Sequence, residues 1–171
     1  ATFHLWLKPA GPAYEVLGGA IRELAQELGA PVFEPHVTLL GHLEGTELDH
    51  ARRTEQLGRE LRPFPIVLTE ASHGDTYFQC LFMTVQPSAV VMDAHVLARR
   101  VFHRTEVDYM PHLSLVYGRY PEGRRREIIA RLPAAVRTSF GVNAVHLIKA
   151  ESQDPRDWHE VLRVAFAARR P

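Results

Sequence analysis

The sequence contains almost no cysteine and no long apolar run. Cys80 is the only cysteine among 171 residues, which excludes an intramolecular disulfide and a thiolate metal cluster. Its neighbours in segment 78–82 are mostly apolar, the usual setting of a buried structural cysteine. No apolar run reaches the roughly 18 residues that cross a bilayer, and the first residues lack the basic and apolar segments of a secretory signal. We therefore expect a soluble, cytoplasmic protein with no membrane partner.

Net charge is also absent, because 20 basic and 20 acidic side chains cancel. No overall field therefore attracts long nucleic acid. Neither a glycine-rich phosphate loop nor a His-Glu-x-x-His zinc pattern occurs, and we expect no cofactor and no metal. With 46% hydrophobic residues the chain can bury its own core, most simply as one domain over residues 1–171 and as a monomer.

The outstanding feature that is present is a short pattern found twice. Pro-His-Val-Thr-Leu at residues 35–39 is matched 76 positions later by Pro-His-Leu-Ser-Leu at residues 111–115. Residues two apart in a strand share a face, so the imidazole and hydroxyl of each copy project together. With 10 histidines, about one His-x-Ser/Thr match is expected by chance. Residues 103–105 are such a match, but they lack the flanking Pro and Leu.

Periodicity along the chain predicts seven strands and four helices. The predicted strands cover residues 2–8, 36–43, 66–71, 77–85, a segment from 112, 142–150 and 158–166, and the predicted helices cover 13–28, 46–62, 88–102 and 124–132. Residues 72–75 have the composition of a hairpin turn. We expect the tail at 169–171 to be mobile.

The two halves of the chain share one order of elements. Each has a strand, then a helix, then a strand that opens with the Pro-His pattern. This order predicts an α+β fold in which two intertwined lobes each contribute one motif strand to a shared cleft.

Two imidazoles and two hydroxyls at one cleft suit proton transfer around a phosphate. On a 2′,3′-cyclic phosphate, one of His36 and His112 would take a proton from water while the other protonates the departing ribose oxygen. Thr38 and Ser114 would bind the non-bridging oxygens. The sequence leaves open which histidine is the base. It also leaves open that both are strand histidines bonded to neighbouring loops.

At these residues the sequence resembles the 2H phosphoesterases, in particular the cyclic nucleotide phosphodiesterases of plants and yeast. The likeness covers nearly the whole chain, in the segments 5–7, 32–38, 77–80, 109–117 and 158–161. It implies a bilobal, pseudo-two-fold fold with two antiparallel sheets flanking a central cleft and helices outside. The partner cysteines of the plant members are missing here, so disulfide control should be absent.

The resemblance also implies residue roles and an activity. His36 and His112 would be the catalytic pair, Thr38 and Ser114 the phosphate ligands, and the activity metal-independent hydrolysis of nucleoside 2′,3′-cyclic phosphates to 2′-phosphates, or of ADP-ribose 1″,2″-cyclic phosphate. The remaining implied site residues are a hydroxyl and two aromatic walls: Tyr117, Trp6 and Phe78.

Strand geometry bears differently on these three additional residues. Trp6 alternates with Leu5 and Leu7, so it lies on the face opposite them. Phe78 is compatible with either the core or the cleft. Tyr117 has the wrong parity to share a face with the motif side chains unless the strand ends or bulges near Gly118.

Two other functions are compatible with the same motifs. One is processing of RNA 2′,3′-cyclic phosphate ends, or an activity like that of 2′-5′ RNA ligases, for which RNA ends would be the partner. The other is nucleotide binding without turnover. Neutral net charge favours a small-molecule cyclic phosphate as the partner.

Overall fold

In the computed structural model, residues 1–167 are described, and their eight strands form one antiparallel sheet. The strands are β1 (Thr2–Leu7), β2 (Val37–Leu43), β3 (Phe64–His73), β4 (Leu81–Val85), β5 (His112–Val116), β6 (Ser139–Val142), β7 (Ala144–Ala150) and β8 (Trp158–Ala165). The helices are α1 (Gly11–Leu28), α2 (Glu47–Glu60), α3 (Ala89–Val101) and α4 (Glu122–Ala130). The tail predicted to be mobile, at 169–171, lies outside the described residues.

The sheet consists of two four-stranded halves joined at one seam. The strand order is β6-β3-β4-β5-β2-β1-β7-β8, so the two motif strands, β5 and β2, meet at the centre. Their registered pair is Val37 with Leu113. The predicted α+β fold with antiparallel strands is confirmed, and the two expected sheets are the two halves of this single sheet.

Each half of the sheet packs against a helix that the chain connects to strands of the other half. Helix α1 lies between β1 and β2 in the chain but packs against β5, and α3 lies between β4 and β5 but packs against β2. The apolar stripe of α1 includes Leu17 and Ile21, both fully buried. Because each helix crosses the seam, the two halves are held together by packing of the core in addition to the backbone pairing of β2 with β5.

The hairpin between β3 and β4 differs from the prediction. Ser72 and His73, expected in a turn, continue β3 by pairing with Phe82 and Leu81. The connecting turn occupies residues 74–80 instead, so the predicted strand at 77–85 begins only at Leu81. The aromatic residues at the start of that segment serve side-chain packing, while its backbone bonds within the turn and to Gly118.

Strand β6 was missed by the sequence analysis. It has only four residues and lies at an edge, paired with the first residues of β3. A strand this short has too few alternations for a periodic pattern. Among residues 1–167, no helix combines the length and apolar character needed to span a bilayer.

Helix α2 contacts β8 closely enough to test this packing. A Cβ at Gly58 would overlap Cγ1 of Val164 and lie 3.1 Å from its Cβ. Gly58→Ala should therefore destabilise the protein by about 1–3 kcal/mol through overpacking, despite a helix-propensity gain of roughly 1 kcal/mol. The measurement is the urea midpoint of unfolding.

Gly19→Ala in α1 is the matched control. Its Cβ would have its nearest neighbour, a terminal nitrogen of Arg22, at 3.9 Å. Only the propensity gain applies there, so this variant should be more stable than the wild type. If Gly58→Ala were as stable as Gly19→Ala, the close packing of α2 on β8 would be contradicted.

Candidate active site

The seam brings the four motif side chains to one face of the sheet. Because Val37 pairs with Leu113 in antiparallel register, His36 lies opposite Ser114 and Thr38 lies opposite His112. Each imidazole is thus a cross-strand neighbour of the hydroxyl from the other copy. Both seam residues are completely buried on the opposite, core-facing side.

The outer strands extend this arrangement into two rows of four. Trp6 pairs with Thr38, and Thr84 pairs with His112, on either side of the seam. The second row contains Lys8, His36, Ser114 and Phe82, since Phe82 pairs with Ser114 and Lys8 follows the Leu7–Val37 pair. A pseudo-two-fold axis through the seam exchanges the two rows, and residues related by it are 76 positions apart.

His36 is buried and held in one tautomer. Its Nδ1 lies 2.7 Å from the backbone oxygen of Glu34, which can only accept a hydrogen bond, so Nδ1 carries the proton. The ring stacks on Trp6 with centroids 3.6 Å apart and planes 9° from parallel. Burial lowers the pKa of His36 to about 3, against the opposing effect of the Glu34 hydrogen bond; His112, His4 and Lys8 lower it further.

His112 repeats this arrangement in a more open setting. Its Nδ1 donates to the backbone oxygen of Met110 at 2.9 Å, again two residues before the histidine. Phe82 approaches the ring at 5.2 Å with an interplanar angle of 63°. Burial also lowers the pKa of His112. Both imidazoles therefore leave Nε2 as the ring nitrogen available for chemistry.

A cleft of about 680 Å³ opens over these residues. His36, Thr38, His112 and Ser114 all line it. The hydroxyl of Ser114 donates to the backbone oxygen of Phe78 at 3.1 Å. Thr38 is half-buried, and its backbone oxygen accepts a hydrogen bond from Tyr109 at 2.8 Å.

The three additional predicted residues line one end of the same cleft. Trp6 lies on the cleft face, as its parity predicts. Strand β5 ends at Val116, so Tyr117 is released from strand alternation and turns into the cleft, where its ring stacks on Phe33 at 3.9 Å. Phe78 comes from the turn at 74–80 and meets the Tyr117 ring edge-on at 5.0 Å.

Sequence reasoning missed Trp158 as a member of this aromatic wall. Its ring lies 5.8 Å from Trp6 and 5.9 Å from Tyr117, and its indole nitrogen donates to the backbone oxygen of Ser152 at 2.8 Å. Trp158 belongs to one of the segments that carry the family resemblance, but it lies more than 40 residues beyond the second motif. No local pattern connects it to the histidines.

The other end of the cleft is polar. His4 and His42 meet edge-on at 5.1 Å, and the backbone nitrogen of His42 donates to Nδ1 of His4. Arg104 donates to the backbone oxygens of Gly41 and His42 and pairs with Glu106. Among residues 1–167, no three His, Cys, Asp or Glu side chains are grouped as metal ligands.

The low pKa of His36 predicts a pH dependence of stability. In the unfolded chain a histidine has a pKa of about 6.5, whereas folded His36 titrates at about 3. As pH falls below the unfolded value, the unfolded state binds a proton that the folded state does not, and stability is lost at up to about 1.4 kcal/mol per pH unit. His36→Gln should lose less stability than the wild type between about pH 6.5 and pH 4.

Urea unfolding at several pH values measures this effect. His103→Gln, at an exposed position, is the control and should retain the wild-type slope. Equal slopes for His36→Gln and the wild type would show that His36 is not kept neutral by the fold.

Comparison with known proteins agrees with this architecture. Residues 2–159 match the family described as cyclic phosphodiesterase-like protein. Cyclic phosphodiesterase of Arabidopsis thaliana is 28% identical over 161 residues, covering 90% of this chain and 87% of that protein.

Solved structures share the fold at lower identity. TT0787 of Thermus thermophilus has a TM-score of 0.69 at 16% identity, with 97% of this chain and 98% of that chain covered. E. coli LigT complexed with 3′-AMP has a TM-score of 0.66 at 15% identity, with 96% and 97% covered. The family match extends over nearly all of the sequence, and this chain belongs to the cyclic phosphodiesterase-like family of 2H phosphoesterases.

Proposed function

We propose that this protein hydrolyses nucleoside 2′,3′-cyclic phosphates to 2′-phosphates, or ADP-ribose 1″,2″-cyclic phosphate, without a metal ion. The observation that carries the proposal is the pairing of each imidazole with the hydroxyl of the other motif across the seam. A phosphate bound between Thr38 and Ser114 would have one histidine on each side. That is the arrangement needed for attack and departure on opposite sides of phosphorus.

The reaction would proceed in one concerted step. A water oxygen forms a bond to phosphorus while one neutral imidazole takes a proton from that water. The bond from phosphorus to the ribose 3′-oxygen breaks, and the second imidazole, as imidazolium, gives its proton to that oxygen. Thr38 donates a hydrogen bond to one non-bridging oxygen as its charge increases, and Ser114 does so to the other once its hydroxyl turns from the backbone oxygen of Phe78.

The backbone carbonyls beside the histidines support this role. Because Nδ1 of His36 and of His112 each donates to a backbone oxygen, Nε2 is presented in a defined position without reorganisation. Both side chains have lowered pKa values in the free protein. An anionic phosphate would favour the protonated form of one of them, which supplies the acid when substrate binds.

The lining of the cleft supports a small nucleotide as substrate. Trp6, Phe78, Tyr117 and Trp158 offer aromatic surface on which a base or sugar can stack. One arginine is among the residues that line the cleft, and this residue, Arg104, is already paired with Glu106; Asp108 and Glu151 add negative charge, which Lys149 offsets in part at Glu151. A lining with so little positive charge disfavours a long polyanion.

The relatives bear on the two other functions considered. The Arabidopsis relative is named a cyclic phosphodiesterase, and E. coli LigT is described with the mononucleotide 3′-AMP. The name of the Arabidopsis relative favours hydrolysis of a cyclic phosphate over ligation, whereas the likeness to LigT, at 15% identity, bears on the fold alone. Retention of both histidines and both hydroxyls favours catalysis over binding alone. The expected cytoplasmic location and monomeric state stay predictions.

Loss of either histidine should remove activity. With excess chelator present, the wild type should open 2′,3′-cyclic AMP, and phosphorus NMR should identify a 2′-phosphate. His36→Ala and His112→Ala should each lower kcat by about 100-fold or more, since each removes one proton transfer. His103→Ala, in the chance His-x-Thr match, is the matched control and should retain wild-type kcat.

A panel with ADP-ribose 1″,2″-cyclic phosphate and an RNA oligonucleotide ending in a 2′,3′-cyclic phosphate would identify the substrate class. Preference for the oligonucleotide, weakening steeply with salt, would replace the small-molecule proposal by RNA-end processing. Undiminished turnover in either histidine variant would contradict the mechanism.

The pH profiles of kcat and kcat/KM should differ in a defined direction. The profile of kcat/KM reports the free enzyme, in which burial lowers the pKa values of both histidines. The profile of kcat reports the complex, in which the substrate anion raises them. Both limbs of the bell should therefore lie at higher pH for kcat. Coincident profiles would show that the substrate phosphate does not lie beside the imidazoles.

A further inference from the structure

A network of charged and polar side chains lies behind His36 and takes no part in the proposed reaction. Nζ of Lys8 lies 2.8 Å from a carboxylate oxygen of Glu34 and 2.8 Å from one of Glu160. The other oxygen of Glu34 accepts a hydrogen bond from Tyr14 at 2.9 Å. Glu160 also binds Nδ1 of His146 at 2.5 Å. This network links α1, the end of β1, β7 and β8 to the segment before β2.

Glu34 is the point at which this network reaches the active site. Its backbone oxygen is the acceptor that fixes the His36 tautomer. Residues 31–36 form no regular element, and within the described range 1–167 they have none of the backbone hydrogen bonds that tie other loops. The carboxylate of Glu34, held by Lys8 and Tyr14, is therefore the polar anchor of the segment that orients His36.

Lys8 is also the direct cross-strand neighbour of His36. Leu7 pairs with Val37 in antiparallel register, so the next residue of β1's path, Lys8, lies opposite His36. Its side chain is only 13% exposed, and its ammonium lies 5.9 Å from the Trp6 ring that stacks on His36. This cation adds to the lowering of the His36 pKa, although the carboxylates of Glu34 and Glu160 at 2.8 Å offset part of its charge.

The second motif has uncharged residues at the equivalent positions. The pseudo-two-fold relation, 76 positions along the chain, places Thr84 at the position of Lys8 and Met110 at that of Glu34. Thr84 bonds to the hydroxyl of Thr69 and the backbone oxygen of Glu70, both uncharged groups. Both histidines thus donate from Nδ1 to a backbone oxygen. Only at His36 does that oxygen belong to a residue whose side chain is held by a charged group.

We infer that Lys8 and Glu34 are positioning residues for His36 alone, and that they hold it as the neutral Nδ1–H tautomer. This inference deepens the proposed function, on which it rests for its kinetic consequence. The groups facing His36 are His4 from β1, Lys8 immediately after β1 and His112 from β5, with Glu34 in its own segment. Lys8 adds to the lowering of the His36 pKa by burial, and the negative charges of Glu34 and Glu160 balance it.

Opposite changes of charge should shift the pKa of His36 in opposite directions. Lys8→Met removes the cation and leaves Glu34 and Glu160 uncompensated, so the pKa of His36 should rise. Glu34→Gln removes an anion, so the pKa of His36 should fall. Whichever limb of the pH profile belongs to His36 should move to higher pH in the first variant and to lower pH in the second. The other limb should stay in place.

The direct measurement is the tautomer of His36 by nitrogen-15 NMR of labelled protein at neutral pH, which requires no turnover. The wild type should show the Nδ1–H form alone, and Lys8→Met a mixture of tautomers with a fall in kcat of roughly tenfold at little changed KM. Lys8→Arg should restore both readings.

Lys149→Met is the matched control. Lys149 is the other lysine of the chain, and it also bridges two carboxylates, Glu47 and Glu151, at 3.4 Å each. It should leave the His36 tautomer and the pH limbs unchanged. Wild-type tautomer and limbs in Lys8→Met, or shifts in the same direction for Lys8→Met and Glu34→Gln, would overturn the inference while leaving the proposed function intact. Altered tautomers in a protein that hydrolyses no cyclic phosphate would remove the proposed function and leave the inference standing.

Discussion

The site depends on the pairing of two strands at the middle of the sheet. Val37 and Leu113 are the registered pair between β2 and β5, and both side chains are fully buried on the core side. A slip of one residue in either strand would turn the imidazole of that strand into the core, because the side-chain period of a strand is two. The crossing of α1 and α3 over the seam opposes such a slip, since each helix packs on the motif strand of the other half. Core packing and active-site geometry are thus one constraint.

Burial gives the histidines opposing requirements. Removing an imidazole from water disfavours its charged form, and this lowers the pKa of His36 far more than the hydrogen bond to the Glu34 backbone can raise it. The same burial fixes the ring against Trp6 and protects the hydrogen bond that selects the tautomer. A proton donor is nevertheless needed in the proposed reaction. The anionic substrate itself can supply the missing stabilisation, so the acid would form only when there is something to protonate.

Local patterns in the sequence were sufficient for most of the fold. Within residues 1–167, alternation and helical spacing located all four α-helices and seven of the eight strands, and the duplicated motif placed His36 and His112 together. The failures share a physical cause. The turn at 74–80 contains aromatic residues that favour strands by propensity, but they pack around the cleft, and β6 is too short for a period.

Contacts made at long sequence separation were outside the reach of such patterns. Trp158 joins the aromatic wall only because β8 pairs with β7, which pairs with β1. Lys8 and Glu160 meet across 152 positions. By strand alternation Tyr117 would lie on the face opposite His112, but it lines the cleft because β5 ends one residue before it. In each case the decisive fact is where the chain leaves a regular element or which strand becomes its neighbour.

The pseudo-two-fold axis raises a question of substrate polarity. A perfectly symmetric site would bind a cyclic phosphate in two orientations with equal free energy, and the same histidine would be base in one and acid in the other. Here the axis relates Tyr117 to Gly41 and Phe78 to Thr2, so one end of the cleft is aromatic and the other is small and polar. Each 1.4 kcal/mol of preference that this difference creates is about a tenfold bias toward one orientation. The unequal ends of an otherwise duplicated cleft would therefore decide which histidine lies beside the leaving oxygen and acts as the acid.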